Sequence, residues 1–290
     1  MTGNCRLFGN PDTLRESHIF PAFAIDYLKN TGSKFLRTYK TPNLRNQDGL
    51  KKHLLSHTAE QRFGVKEKWF SEKIFIPYLQ NNIRTFDYND SLFYFSISFL
   101  WRILIMHTDF SPQLKNDWYF PKLLEVEKEW RDFLADYKFP ENFNKVQLFF
   151  TDRVENITAE VKGFDYYTSR AFDGTIITNE EQSYLAVYGK FMRFVFWCVI
   201  KTNKNYTNPD SNINPVSGTL SIPQNFQDDY LMDFLINRSN KISGLPKPSP
   251  KQQQKILEEI LKDREGFWNS DAGKAIYNDK FNLDKKKNSR

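Results

Sequence analysis

Cysteine is nearly absent from this chain: two residues, Cys5 and Cys198, in 290. That excludes a disulfide framework, and it excludes a structural zinc held by four thiolates. Glycine is sparse as well, at 12 residues, and no Gly-x-x-x-x-Gly-Lys string occurs, so there is no phosphate-cradling loop of that kind. No His-Glu-x-x-His string is present, which removes the zinc-protease helix. Cys198 lies inside an apolar run, where a thiol is inert, so a Cys–His dyad is not expected. The run Phe191–Ile200 is too short to span a bilayer and contains Arg193. Met1-Thr-Gly-Asn-Cys5 carries no apolar signal segment. A cytoplasmic protein without membrane contact is the expectation. Excess charge is lacking too. Lys and Arg number 41 against 35 Asp and Glu, a net +6. Such a balance permits nucleic-acid binding but does not establish it, because the cations must cluster on one face.

Apolar mass is plentiful. Hydrophobic residues make up 40% of the chain, with 27 Phe and 14 Tyr, ample for a sizeable core. The aromatic residues are read as core rather than as base-stacking platforms. Residues 1–24 read as a short hairpin carrying His18 and closed by Pro21, and 25–31 as a short helix. Pro42 to Gly49 is a loop. From Leu50 to about Gln80 the spacing of Leu54, Leu55, Phe63, Trp69, Phe70, Ile74 and Phe75 predicts a helical region interrupted at Gly64. Residues 90–106 are apolar nearly all round and predict a buried core helix. Pro121 to Tyr137 predicts an amphipathic helix packed on it.

The chain then changes character. Val146–Phe150 and Gly174–Ile177 are short β-like runs. Ser183 to Ile200 is either a hairpin turning at Gly189-Lys190 or a long buried helix; its Val, Ile, Tyr and Phe content favours strands. Residues 202–222 read as a polar loop and 224–241 as a short helix. A Pro-rich linker from Gly244 leads to a helix over Ser249–Arg264, with Ser249 as N-cap and Pro250 at the first helical position. The tail Lys285–Arg290 reads as a disordered basic arm.

Three strings in the first seventy residues stand apart: Cys5-Arg-Leu-Phe-Gly9, Glu16-Ser-His-Ile-Phe-Pro21, and Gln47-Asp-Gly-Leu-Lys-Lys-His-Leu-Leu-Ser-His-Thr-Ala-Glu60. In this order, over residues 5–75, they resemble the N-terminal module of bacterial HNH-type endonucleases. In that family a cysteine knuckle precedes a Ser-His-Ile-Ile-Pro-like string, a Gln-Asp-Gly segment, and a second knuckle that opens a helix. Ser98-Phe-Leu-Trp-Arg-Ile-Leu104 and Ser249-Pro-Lys-Gln-Gln253 look like the same group. The chain departs from the pattern at Phe8, Ser56 and Ala59, where the family has cysteines. With Cys5 as the one remaining thiol, hydrophobic contacts are expected to replace a structural zinc, with His53 and His57 as remote candidates to help Cys5. Ser17 stands where many such nucleases carry an acidic ligand.

The resemblance implies an α+β fold: a small ββα-metal module over 1–80, then a mainly helical domain with a short β-sheet over 81–290. It implies phosphodiester cleavage with one divalent cation, Mg or Mn, and one histidine that takes a proton from water. His18 fits the base. Asp48 and Glu60 are the candidate metal ligands, with Glu67 a third on the helical face of Glu60. Plainer alternatives stand beside each. His18 is a turn cap, Asp48-Gly49 an ordinary turn pair, and Glu60 and Glu67 a solvated face paired with Lys66 and Lys68. Basic residues between the two motif halves, Lys34, Arg37, Lys40, Arg45, Lys51 and Lys52, are candidates to contact phosphates, against the alternative of a solubilising surface.

Two function classes follow. One is a metal-dependent endonuclease cleaving DNA, or RNA, as an effector of bacterial antiphage defence. The other is a catalytically inactive relative that binds nucleic acid or a partner protein, in complex with that partner or as a homo-oligomer.

Overall fold

A computed structural model describes residues 1–32, 35–151, 161–204, 209–225 and 229–288. The chain is mixed α+β. β1 (Thr2–Asn4) and β2 (Pro11–His18) form an antiparallel pair, α1 (Ala22–Asn30) follows, and β3 (Lys51–Ser56) adds to the free side of β2. α2 (His57–Phe70) starts without a linker. Ser56 ends the strand and caps the helix, its Oγ accepting from the Ala59 amide at 3.4 Å. Residues 11–70 thus run strand, helix, strand, helix, with β2 and β3 paired. The expectation of continuous helix from Leu50 fails at Lys51–Ser56. Leu54 and Leu55 sit next to each other in β3, and both are buried because one strand face meets the core and the other is roofed by the Cys5–Gly9 turn.

Gly64 does not interrupt α2. The irregularity lies at Ser71–Phe75, a π-helical turn running into α3 (Ile76–Asn81). Its cause is Pro77, which has no amide to give and whose ring clashes with the carbonyl four residues back; a wider turn absorbs the misfit. β4 (Thr85–Asn89) then leads into α4 (Asp90–Phe110), capped by Asn89 Oδ1 on the Ser91 amide at 3.0 Å.

α4 is the axis of the molecule. It is long and apolar enough to cross a membrane by length and composition, yet 89% of its apolar window is buried inside the protein. It packs on α2, on β4 and on α5 (Phe120–Asp136). The four strands that follow are β5 (Val146–Phe150), β6 (Phe172–Thr178), β7 (Leu185–Phe191) and β8 (Phe194–Lys201), in the order β5-β8-β7-β6, all neighbours antiparallel. α6 (Phe164–Arg170) precedes β6. One face of this sheet, with Leu148, Phe150, Phe194, Phe196 and Cys198, joins the core around α4. The other face, with Phe149, Tyr188, Val195 and Trp197, is covered by α6 and by α7 (Asp229–Ser243). Burial on both faces explains why these strands are almost continuously apolar.

The hairpin turns at Met192-Arg193, not at Gly189-Lys190. Met192 takes a φ of 49° there. Gly189 instead pairs with Gly174 in the middle of the ladder. A Cβ on Gly189 would stand 2.6 Å from Phe99 Cε1, and one on Gly174 would collide with Ile103. The two glycines let α4 approach the sheet.

β9 (Ser217–Ser221) pairs with β4, so the expected 202–222 loop carries a strand. α8 (Pro250–Lys262) begins where the Ser249-Pro250 reading places it. α9 (Arg264–Asn269) and α10 (Asp271–Asn288) complete the chain, and the expected disordered arm is helical backbone as far as Asn288. Core contacts run without a break from Cys5 to Leu220, so the elements on either side of residue 80 share one interior.

Candidate functional site

The two strings that carry knuckles in the resembling family come together here. Arg6 N donates to Leu54 O at 2.8 Å and Gly9 N to Cys5 O at 2.7 Å, closing a tight turn. Cys5 is fully buried, and its Sγ accepts from the Ser56 amide at 3.4 Å. Ala59 is fully buried beside it, and Arg62 lies 5.2 Å over the Phe8 ring. Packing and one N–H···S contact hold this turn against the start of α2. His53 and His57 are exposed. Metal analysis of protein purified without chelator is therefore expected to find no stoichiometric zinc; about one zinc per chain would overturn this reading.

His18 closes β2, opposite Lys51 of β3. Strand alternation turns Ser17 inward, where its Oγ accepts from the Leu55 amide at 3.2 Å. His18 is turned to the other side and stays a quarter exposed. The loop 47–50 crosses next to it. The Gly49 backbone passes close to Ile25 of α1, and a side chain there would have to displace the Ile25 terminal methyl. Asp48 is thereby brought to His18, with Nε2 and Oδ1 2.8 Å apart. The Gly49 amide donates to the same oxygen at 2.8 Å, and Lys51 Nζ sits 2.5 Å from Oδ2. The bond from Lys51, then that from His18, holds the Asp48 carboxyl well below the usual carboxylate range despite some desolvation. Asp48 in turn raises Lys51. An ionised carboxylate only accepts, so His18 Nε2 carries a proton toward Asp48, and Nδ1 makes no hydrogen bond among the described residues.

Asp48→Asn tests this electrostatic arrangement. The native carboxyl is depressed, so its contribution to stability is present above the unfolded pKa of about 3.9 and is lost as pH falls through the lower native value. Asp48 is about half exposed, so screening keeps the contribution small. Urea unfolding should show the wild type ahead of Asp48→Asn by a constant margin above about pH 4.5, shrinking in more acidic buffer. A margin that grows on acidification would contradict the arrangement.

Glu60 lies in the first turn of α2, and its Oε1 is buried without a hydrogen-bond partner among the described residues. Glu67, two turns on, faces α4. Its Oε1 stands 2.6 Å from Arg102 Nη2, a charge contact not aligned as a hydrogen bond. Arg102 Nη1 donates to the His18 carbonyl at 3.0 Å. Of the three expected ligands, then, Asp48 is on His18 itself, Glu67 is joined to it through Arg102, and Glu60 makes no hydrogen bond to either. Among the described residues no group of three or more His, Cys, Asp or Glu side chains is placed to hold a metal ion.

No known protein family, curated protein or solved structure matches this chain. Function therefore rests on the site's own chemistry.

The expected phosphate contacts divide. Lys34 lies outside the described residues. Arg37 Nη1 donates to Pro42 O at 2.9 Å, Arg45 pairs with Glu259 of α8 at 3.1 Å and lies 4.8 Å over Phe35, and Lys52 lies 4.6 Å over Phe110. Lys51 is committed to Asp48. Lys40 is exposed. The residue that sequence reasoning missed is Arg102. Its signal was present: one arginine in a helix otherwise apolar all round.

Proposed function

We propose that the chain is a metal-dependent endonuclease of HNH type acting on DNA. The observation that carries the reading is the His18–Asp48 dyad at the end of β2, in the unit of β2, β3 and α2, with Nδ1 of His18 unbonded among the described residues.

His18 Nδ1 accepts a proton from the attacking water. Asp48 holds the ring in the required tautomer and stabilises the imidazolium that forms, the part an aspartate plays beside a catalytic histidine. Lys51 and the Gly49 amide keep Asp48 ionised and in place. Asp48 is then an orienting group rather than a metal ligand. A hard cation such as Mg or Mn keeps several waters and needs one or two carboxylates besides substrate phosphate. Glu60, with its buried unpartnered oxygen, fits that demand and would hold it. Bound there, the ion supplies charge neutralisation at the scissile phosphate and the leaving oxygen. Lys40 and its basic neighbours supply salt-sensitive contacts to the backbone without choosing a sequence.

The test is incubation with supercoiled plasmid in Mg or Mn at low salt. Nicked and linear products that disappear with chelator support the reading. A second reading, a catalytically inactive relative that binds nucleic acid or a partner, is favoured by the prior commitment of Asp48 and Glu67. Binding of DNA with no cleavage under any divalent cation would decide for it.

A further inference from the structure

We propose that Arg102 is a positioning residue for His18, braced by Glu67. The proposal deepens the nuclease reading and rests on it.

Arg102 stands in α4, among residues buried on every side, and is itself 3% exposed. A guanidinium in such a place is costly unless its donors are met. Two of its nitrogens donate hydrogen bonds and a third is paired in charge only. Nε donates to Ser98 O in its own helix at 3.3 Å, Nη2 meets the Glu67 carboxylate, and Nη1 donates to the carbonyl of His18. The face of the guanidinium lies 5.7 Å from the Phe63 ring, which fixes its plane. These contacts come from α4, α2 and the last residue of β2.

The third contact falls on the residue that bears the imidazole. The same peptide unit is tied at its other end, where Ile19 N donates to Leu50 O at 3.0 Å. With both the His18 carbonyl and the Ile19 amide engaged, the 18–19 peptide plane cannot rotate freely. That plane sets the direction of the His18 Cα–Cβ bond, and so the reach of Nε2 to Asp48 and the aim of Nδ1. Downstream, Phe20 is anchored 5.8 Å from Phe99 of α4 and 5.5 Å from Phe172 of β6. Without Arg102 the His18 carbonyl would lose the contact that ties it to α4, at the point where pairing with β3 stops, His18↔Lys51. Glu67 carries the complementary charge. Its commitment to Arg102 also accounts for its absence from any ligand group.

The experiment compares Arg102→Met, Arg102→Lys and Glu67→Gln with the wild type by three readouts. These are unfolding in urea, kcat and KM for plasmid cleavage in Mn, and the ¹⁵N spectrum of the His18 imidazole, assigned with His18→Ala. Arg102→Met should lower kcat by about 10²-fold, the cost of a misplacement on the order of 1 Å, with KM little changed. Its His18 spectrum should move from the fixed Nε2–H tautomer to an averaged one. Arg102→Lys keeps a donor and should recover part of both. If Arg102→Met does not fold, Glu67→Gln gives the same test, with a smaller shift in the same direction. A folded Arg102→Met or Glu67→Gln variant with the wild-type imidazole spectrum would overturn the proposal, whatever the activity. A loss of kcat with that spectrum unchanged would assign Arg102 to fold stability alone. Should the wild type cleave nothing, the nuclease reading fails. The imidazole spectrum would still decide whether Arg102 sets the orientation of His18.

Discussion

His18→Ala is expected to lower metal-dependent DNA cleavage by roughly 10²–10⁴-fold, the range for removing a general base. The substitution should leave DNA binding nearly intact, because the base acts only in the chemical step and its loss removes none of the proposed phosphate contacts. Structural damage should be slight. His18 is a quarter exposed, and the strand end is held through its backbone by Arg102 and Leu50. Asp48→Asn should show an intermediate loss, since an amide keeps the contact but does not enforce the Nε2–H tautomer or stabilise the imidazolium. Gel-based cleavage rates and filter binding on the same preparations measure both quantities. A His18→Ala variant as active as the wild type would show that the Glu16–Pro21 string is not a nuclease motif.

Trp101→Ala is expected to destabilise the protein by about 3–5 kcal/mol, the range for emptying a large aromatic site in a close-packed core. Trp101 is fully buried, packs edge-on against Phe63 of α2 at 6.1 Å, and donates Nε1–H to Glu127 of α5 at 3.2 Å. It therefore joins the three helices that form the back of the site. Its loss also withdraws a donor from Glu127, which takes charge from Arg6 at 3.1 Å and Arg131 at 3.3 Å. The effect should appear as a lower urea midpoint at unchanged slope. Because the core is continuous from the first module into the sheet, one cooperative transition is expected rather than a separate early loss of residues 1–80.

The elements legible in the sequence are those whose signal is local. α4 is apolar on all sides, so it announced itself as core. The start of α8 is written in Ser249-Pro250. β5 and β6 follow from short β-branched and aromatic runs between turns. Elements that depend on partners far along the chain were hidden. β9 is a polar five-residue segment that becomes a strand by pairing with β4, across 128 residues or more of sequence. β3 was hidden because it joins α2 with no intervening loop, so two periodicities merge into one apolar pattern. Gly189 was misleading because glycine marks both turns and close approaches, and only the position of Phe99 distinguishes them.

Around His18, the side-chain partners were not legible in the sequence. That Asp48 meets the ring depends on where the 47–50 loop crosses the end of β2. That Glu67 is committed to Arg102 depends on α2 lying against α4. Neither relation has a spacing that could be read in advance.

The most direct test of the central claim is an anomalous diffraction map from crystals soaked in manganese. The account predicts one peak bound by Glu60 at about 2.0–2.3 Å, completed mainly by water. His18 should be within one water of it, still bonded to Asp48. A map with no peak at Glu60, or with manganese bound only at a surface remote from His18, would contradict the account.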